Sequence, residues 1–249
     1  MEVYIWKSEY NFVMYSHSIL FLSLIILTTL IINTTIKRKK LGMKYQAFKY
    51  LAGSTMTVAF GLLLLLIGAY LWKETILMNL EAYRYLLGSY IFFISSTIFW
   101  ILFVDEITNR YKYKSLDLLI LTLMSCILSI LTITLPGDIP EIQSYLTIIL
   151  TVFSFIYFKS SLHMSLYGYS RIRDVHGIHR ISFWIYMLNF PMTMISIILN
   201  ILNRLQGKFF GIYVLLSWIL SLVTFILLYI SISMPKWFIK LLKLFKKDF

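Results

Sequence analysis

Long apolar blocks alternate with short polar connections along this chain. Seven blocks, at 18–36, 50–72, 85–104, 116–135, 142–162, 181–201 and 210–234, are each long enough to cross a hydrocarbon core of about 30 Å at about 1.5 Å of rise per residue. None shows the period-two alternation of a membrane barrel strand. In lipid, moreover, every backbone N–H and C=O must be satisfied within its own segment, so the blocks are read as helices. The fifth is the most broken. Its uncharged part ends at Phe158, and Lys159 follows at a depth from which a long stem can snorkel to the surface.

Composition agrees with this pattern. The chain is 59% hydrophobic and 14% charged, against about 25% charged residues in a soluble domain. Its net charge of +12 would suggest nucleic acid in a soluble protein. Here the basic residues sit between apolar blocks, so no nucleic-acid partner is expected. Assigning alternate connections to opposite sides places 18 of the 23 Lys and Arg on one face and 5 on the other, with Lys159 counted at the basic face. Basic residues collect in cytoplasmic loops. The expectation is therefore an all-α, polytopic seven-helix bundle in the cell membrane, with its N-terminus outside and its C-terminus cytoplasmic.

The start of the chain is not read as a cleaved leader. Glu2 and Glu9 stand against Lys7 before the first block, and Lys37-Arg38-Lys39-Lys40 follow it as a stop-transfer signal. No connection is long enough to fold by itself, which leaves a transmembrane domain at 1–234 and a basic tail at 235–249. The turn Pro136-Gly137-Asp138-Ile139-Pro140 reverses the chain between the fourth and fifth blocks. Cys126, the single cysteine, is expected to be a small buried hydrophobe.

Ionisable residues deep in a bilayer are costly and mark ion or proton paths. Every acidic residue is expected in a terminal segment or a connection, which argues against proton-coupled transport. No Lys lies inside the seventh block, which argues against a retinal protein. Gly53, Thr57 and Gly61 form a small-residue stripe suited to close helix packing, within the chain or in a dimer seam. Ser95, Ser96, Thr97, Ser125 and Ser129 can return hydroxyls to their own helix. Asn189 cannot satisfy a whole amide that way and is expected to bond another helix. Two residues on, Pro191 removes a backbone bond and frees a carbonyl. Asn189 and Ser96 are thus candidate ligand contacts, and Pro191 a candidate hinge.

No catalytic constellation is visible, and no cofactor or enzyme activity is expected. His163, His176 and His179 gather near the fifth connection with Asp174, but no thiolate or further carboxylate completes a metal site. Asn33-Thr34-Thr35 matches a glycosylation sequon at the expected cytoplasmic end of the first span, where it would go unused. Asn109-Arg110-Tyr111 matches two of three positions of the Asp-Arg-Tyr motif of G-protein-coupled receptors, and is read as chance because no Asn-Pro-x-x-Tyr follows in the seventh span. After Pro235, a helix would place Trp237 and Phe238 on one side. Lys236, Lys240, Lys243 and Lys247 would fall on the other, as in a basic amphipathic helix lying on an anionic leaflet or docking a partner.

The segment 227–242, Leu-Leu-Tyr-Ile-Ser-Ile-Ser-Met-Pro-Lys-Trp-Phe-Ile-Lys-Leu-Leu, resembles the end of the seven-span sensory regions that precede prokaryotic histidine kinases and related signalling proteins. In those regions the last span runs into Pro-x-Trp and a basic segment. The fifth connection, Gly168-Tyr169-Ser170-Arg171-Ile172-Arg173, is similar to their Gly- and Arg-containing turn. The resemblance implies a sensor-like module. Because the chain stops at Phe249 without a kinase, cyclase or phosphatase, its output is expected to pass through a separate cytoplasmic signalling protein or other membrane subunits. The alternative is a small-solute transporter or a structural subunit of a membrane complex.

Overall fold

The computed structural model describes residues 7–73, 80–109, 111–134, 139–175, 177, 179–205 and 212–245. Among these described residues are eight helices: α1 (Lys7–Lys40), α2 (Gln46–Lys73), α3 (Leu80–Thr108), α4 (Lys114–Thr134), α5 (Ile139–Arg171), α6 (His179–Leu205), α7 (Ile212–Ser233) and α8 (Lys236–Phe245). No strand occurs among the described residues.

Six of these helices, α1, α2, α3, α4, α6 and α7, are long and apolar enough to cross a membrane. The fifth block falls in α5, whose 33 residues continue past Phe158 through Lys159, Ser160, Ser161, His163 and Ser165. The side chains of 139–147 and the turn at 136–138 lie outside the described residues.

Among α1 to α7, neighbours in sequence pack together except at the step from α4 to α5. Helices α1, α2, α3, α5, α6 and α7 follow one another around the bundle, and α7 closes against α1. Helix α4 stands outside this ring, packed on α3 and barely touching α5. Only Asp117, Leu121, Met124 and Leu128 of its inner face are buried, at the i, i+4, i+7, i+11 spacing of one helical stripe. Leu116, Leu119, Leu123, Ile127 and Ile130 are exposed, as are Ile19, Leu22, Ile26 and Leu30 of α1. An exposed aliphatic face of this size is stable in hydrocarbon and would aggregate in water. Cys126 lies on the outward side of α4 and is exposed. The expectation of a buried thiol therefore fails, because α4 contributes only one narrow stripe to the interior.

Close approach explains the small residues. A Cβ on Gly53 would fall 2.7 Å from Phe99 Cδ1, and one on Gly61 would meet the Phe93 ring still more closely. The stripe on α2 is thus filled by phenylalanines of α3 within the chain. On α5, a Cβ on Gly168 would lie 2.7 Å from the Phe183 carbonyl oxygen and 3.1 Å from the Met187 nitrogen, so here α5 touches the backbone of α6. Phenylalanine rings can turn aside, whereas backbone cannot. Gly168→Val is therefore expected to destabilise the fold by about 1–3 kcal/mol, the usual cost of overpacking. Gly88→Ala, which meets only the flexible end of Leu64 at 3.3 Å, is expected to be tolerated. Equilibrium unfolding in mixed micelles measures both, and equal effects would contradict this account of the α5–α6 contact.

Candidate functional site

Polar side chains are concentrated in three places: a charged cluster where the α3–α4 turn meets α5, a polar stripe on α6, and the joint between α7 and α8.

The cluster is built by a tight reversal. Helix α3 ends at Thr108, and Asn109 takes a left-handed φ of 55°, a conformation that Asn tolerates better than most residues. The turn brings the Tyr111 amide to Asp105 Oδ1 at 3.1 Å and the Lys114 ammonium to Asp105 Oδ2 at 2.6 Å. One turn into α4, Asp117 is 1% exposed and accepts from Tyr111 Oη at 2.6 Å and Lys159 Nζ at 2.6 Å. Its place in the first turn also sets its charge against the positive end of the helix dipole. Lys159 lies 4.6 Å from the centre of the Tyr113 ring, and the His163 ring stands edge-on to Tyr111 at 5.2 Å. Each of these two carboxylates thus faces one ammonium group, Asp105 that of Lys114 and Asp117 that of Lys159.

Asp117 thus corrects the expectation that every acidic residue sits in a terminal segment or a connection. It lies inside α4, tolerable there because both carboxylate oxygens receive short charge-assisted or phenolic hydrogen bonds. The sequence did carry a signal for this pair: Lys159 breaks the fifth block, and Asp117 stands one residue inside the fourth. The Tyr111 of the receptor-like triplet is equally structural, 4% exposed and bonded to Asp117.

The α6 stripe comprises Ser182, Asn189, Thr193, Ser196 and Asn200. Ser182 donates to the Ser231 carbonyl at 2.8 Å, Thr193 to Ser161 at 3.2 Å and Asn200 to Ser217 at 2.7 Å, while Ser196 and Ser217 share a bond of 2.6 Å. Pro191 lies within α6 and is exposed. Its missing N–H leaves the Met187 carbonyl, four residues earlier, without its usual partner. Ser165 of α5 donates to that carbonyl at 2.6 Å, so the candidate hinge is also a fastening point between α5 and α6. Asn189 is 1% exposed, and neither its oxygen nor its nitrogen finds a partner among the described residues. The expected bond to another helix is absent there, and an unpaired buried amide costs about 1–3 kcal/mol.

Ser96 is not brought into this stripe. Its hydroxyl pairs with Ser54 Oγ at 2.9 Å and joins α3 to α2. Ser95, Thr97 and Ser129 return hydroxyls to carbonyls four residues earlier, at 2.9, 3.3 and 2.8 Å. His179 opens α6 and is exposed, whereas His163 lies on α5 against Tyr111. His176 is outside the described residues, and no group of three or more metal-ligating side chains assembles among those described.

At the third place, α7 ends with Met234 at a left-handed φ of 43°, and Pro235 opens α8 by accepting from the Phe238 and Ile239 amides. Arg38 of α1 donates to the Ile232 carbonyl at 3.3 Å and lies 4.5 Å from the centre of the Phe48 ring. Thr34 bonds Tyr229 at 3.0 Å, and Phe48 meets the same tyrosine edge-on. The middle residue of the sequon, Thr34, is therefore part of a helix joint, and sequence reasoning missed the part played by Arg38. Lys236, Lys240 and Trp237 are exposed on α8. The side chain of Lys243 and all of Lys247 are outside the described residues. No protein-family model, curated protein or solved structure matches the chain.

The Asp117–Lys159 pair joins α4 to the ring through partners that are 1% and 26% exposed. Asp117→Asn or Lys159→Met alone is expected to cost about 3 kcal/mol, and the double variant clearly less than the sum. A double-mutant cycle of unfolding free energies measures the coupling; strict additivity would mean that the pair does not hold α4. Burial, followed by the bond to Asp117, raises the Tyr111 pKa well above its ordinary value of 10.0. The folded state therefore keeps a proton that the unfolded chain loses, so this stabilisation is complete below pH 10.0 and lost as pH rises beyond it. Stability measured from pH 8 to 12 should fall on the alkaline side, less steeply in Tyr111→Phe.

Proposed function

We propose that this chain is a seven-helix, sensor-like module of the cell membrane, with α5 as the additional span, the N-terminus outside and the C-terminus in the cytoplasm. Its output passes through α8 to a partner protein, and its basic face lies against anionic headgroups. At about 1.5 Å per residue, the 33 residues of α5 extend about 50 Å, enough to cross the hydrocarbon and continue beyond it.

The observation that carries this reading is the α7–α8 joint. The last turn of α7 is held by the basic end of α1 through Arg38, and the chain then breaks at Met234–Pro235 into a short helix bearing Trp237 and lysines. A shift of α7 against α1 must break or re-aim the Arg38 bond and swing α8 with it. That converts a rearrangement among spans into a displacement at the membrane surface. The Asp117–Lys159 and Asp105–Lys114 pairs fix the neighbouring α3–α4 turn and favour movement of whole helices over local unfolding.

Two measurements test this. In a Cys126→Ser background, Lys44→Cys and Asp174→Cys should resist an impermeant maleimide applied from outside, and Arg84→Cys should react. External labelling of Asp174→Cys would invert the proposed direction of α5 and α6. A photoreactive amino acid at Trp237 should crosslink one defined protein in native membranes, with a yield that changes in Arg38→Ala. Crosslinks to lipid alone, unchanged by Arg38→Ala, would reduce α8 to an anchor.

A further inference from the structure

Every polar side chain on the inner stripe of α6 is engaged by a neighbour except one. At 3.6 residues per turn, Ser182, Asn189, Thr193, Ser196 and Asn200 fall within about 60° of arc. Four of them bond α5 or α7. Asn189, in the middle, offers two N–H donors and a carbonyl acceptor, all buried and unmatched among the described residues.

Its nearest polar neighbours are committed elsewhere. Thr193, one turn on, donates to Ser161. Ser165 is occupied by the carbonyl that Pro191 frees. A leucine would fill the position without leaving an amide unpaired, so the amide is best accounted for by a partner beyond the described residues. No charged residue lies on α6 between Ser182 and Asn200, so nothing there would compensate an ionic guest. Ile185, Tyr186 and Thr193, within about one turn on either side, are all buried, so the position is screened from water.

We propose that Asn189 is the recognition point of a binding site in the wedge between α5, α6 and α7. Its ligand is a small neutral molecule presenting a hydrogen-bond donor and acceptor side by side, and a primary carboxamide is the chemistry that matches both atoms of the side chain. This rests on the sensor reading and supplies its stimulus: beside Pro191, a molecule bridging Asn189 to α5 or α7 would bias how those helices sit on α6.

The test uses the full chain in lipid nanodiscs, with thermal unfolding followed by tryptophan fluorescence. Acetamide, propionamide and isobutyramide are the probes, and N,N-dimethylacetamide, which lacks the donor, is the control. The primary amides should raise the midpoint saturably and the control should not. Half-saturation should weaken about tenfold or more in Asn189→Leu, the loss expected for one good pair of hydrogen bonds. The response should persist in Ser96→Ala, which alters the other candidate serine. If Asn189→Leu folds poorly, Asn189→Ala carries the same comparison.

Two results would overturn the proposal. One is the absence of any saturable shift in the wild type, with Asn189→Leu at least as stable, which identifies an amide satisfied by water alone. The other is an equal shift in wild type and Asn189→Leu. Either leaves the maleimide pattern and the Trp237 crosslink untouched, so failure of this site is distinguishable from failure of the sensor reading.

Discussion

Hydrocarbon gives a helix no reward for hiding leucines from its surroundings, because lipid tails are as apolar as the leucines themselves. Neighbours must be chosen by close fit and by hydrogen bonds. Around this bundle each junction of the ring carries such a bond. Thr28 meets Thr55 between α1 and α2, and Ser54 meets Ser96 between α2 and α3. The Trp100 indole donates to Ser160 between α3 and α5, and Thr193 donates to Ser161 between α5 and α6. Ser196 meets Ser217 between α6 and α7, and Thr34 meets Tyr229 where α7 closes on α1. At about 0.6 kcal/mol apiece none is decisive for stability. Their value is directional, since each interhelical bond forms only when both helices present the paired side chains to one another.

Between α4 and α5 the bond is of another kind. The Asp117–Lys159 pair reaches across the step within α1 to α7 where sequential helices hardly touch. Charges are costly to bury, so a pair is retained where apolar contact is too thin to define the geometry. Tyr111 takes the second carboxylate oxygen, and Asp105 holds the turn from behind. The α3–α4 reversal is therefore the most rigidly specified connection among those described. The left-handed Asn109 is part of its cost.

Most of the architecture was legible from the apolar blocks, because block length and helix length answer to the same bilayer thickness. What was not legible follows from the same rule. An apolar face says that a helix meets something apolar, and lipid and protein read alike. Cys126 and the leucines of α4 could not be sorted into inside and outside by pattern. Serines were expected to bond their own helices, which holds for Ser95 and Ser129 but not for Ser96, since intrahelical and interhelical partners suit a hydroxyl equally well. Asp117 and Lys159 were visible as irregularities in two blocks, but pairing them required knowing that α5 passes beside α4.

The candidate ligand residues divide on this basis. A hydroxyl in a membrane helix is easily satisfied, and Ser96 is satisfied by Ser54. An amide is not, and the stripe that satisfies Ser182, Thr193, Ser196 and Asn200 leaves Asn189 over. Pro191 adds to the contrast: the carbonyl it frees is taken at once by Ser165, while the amide two residues away goes unmet. Among the described residues of the stripe, the polar group left over sits two residues from the proline that interrupts the backbone ladder of α6.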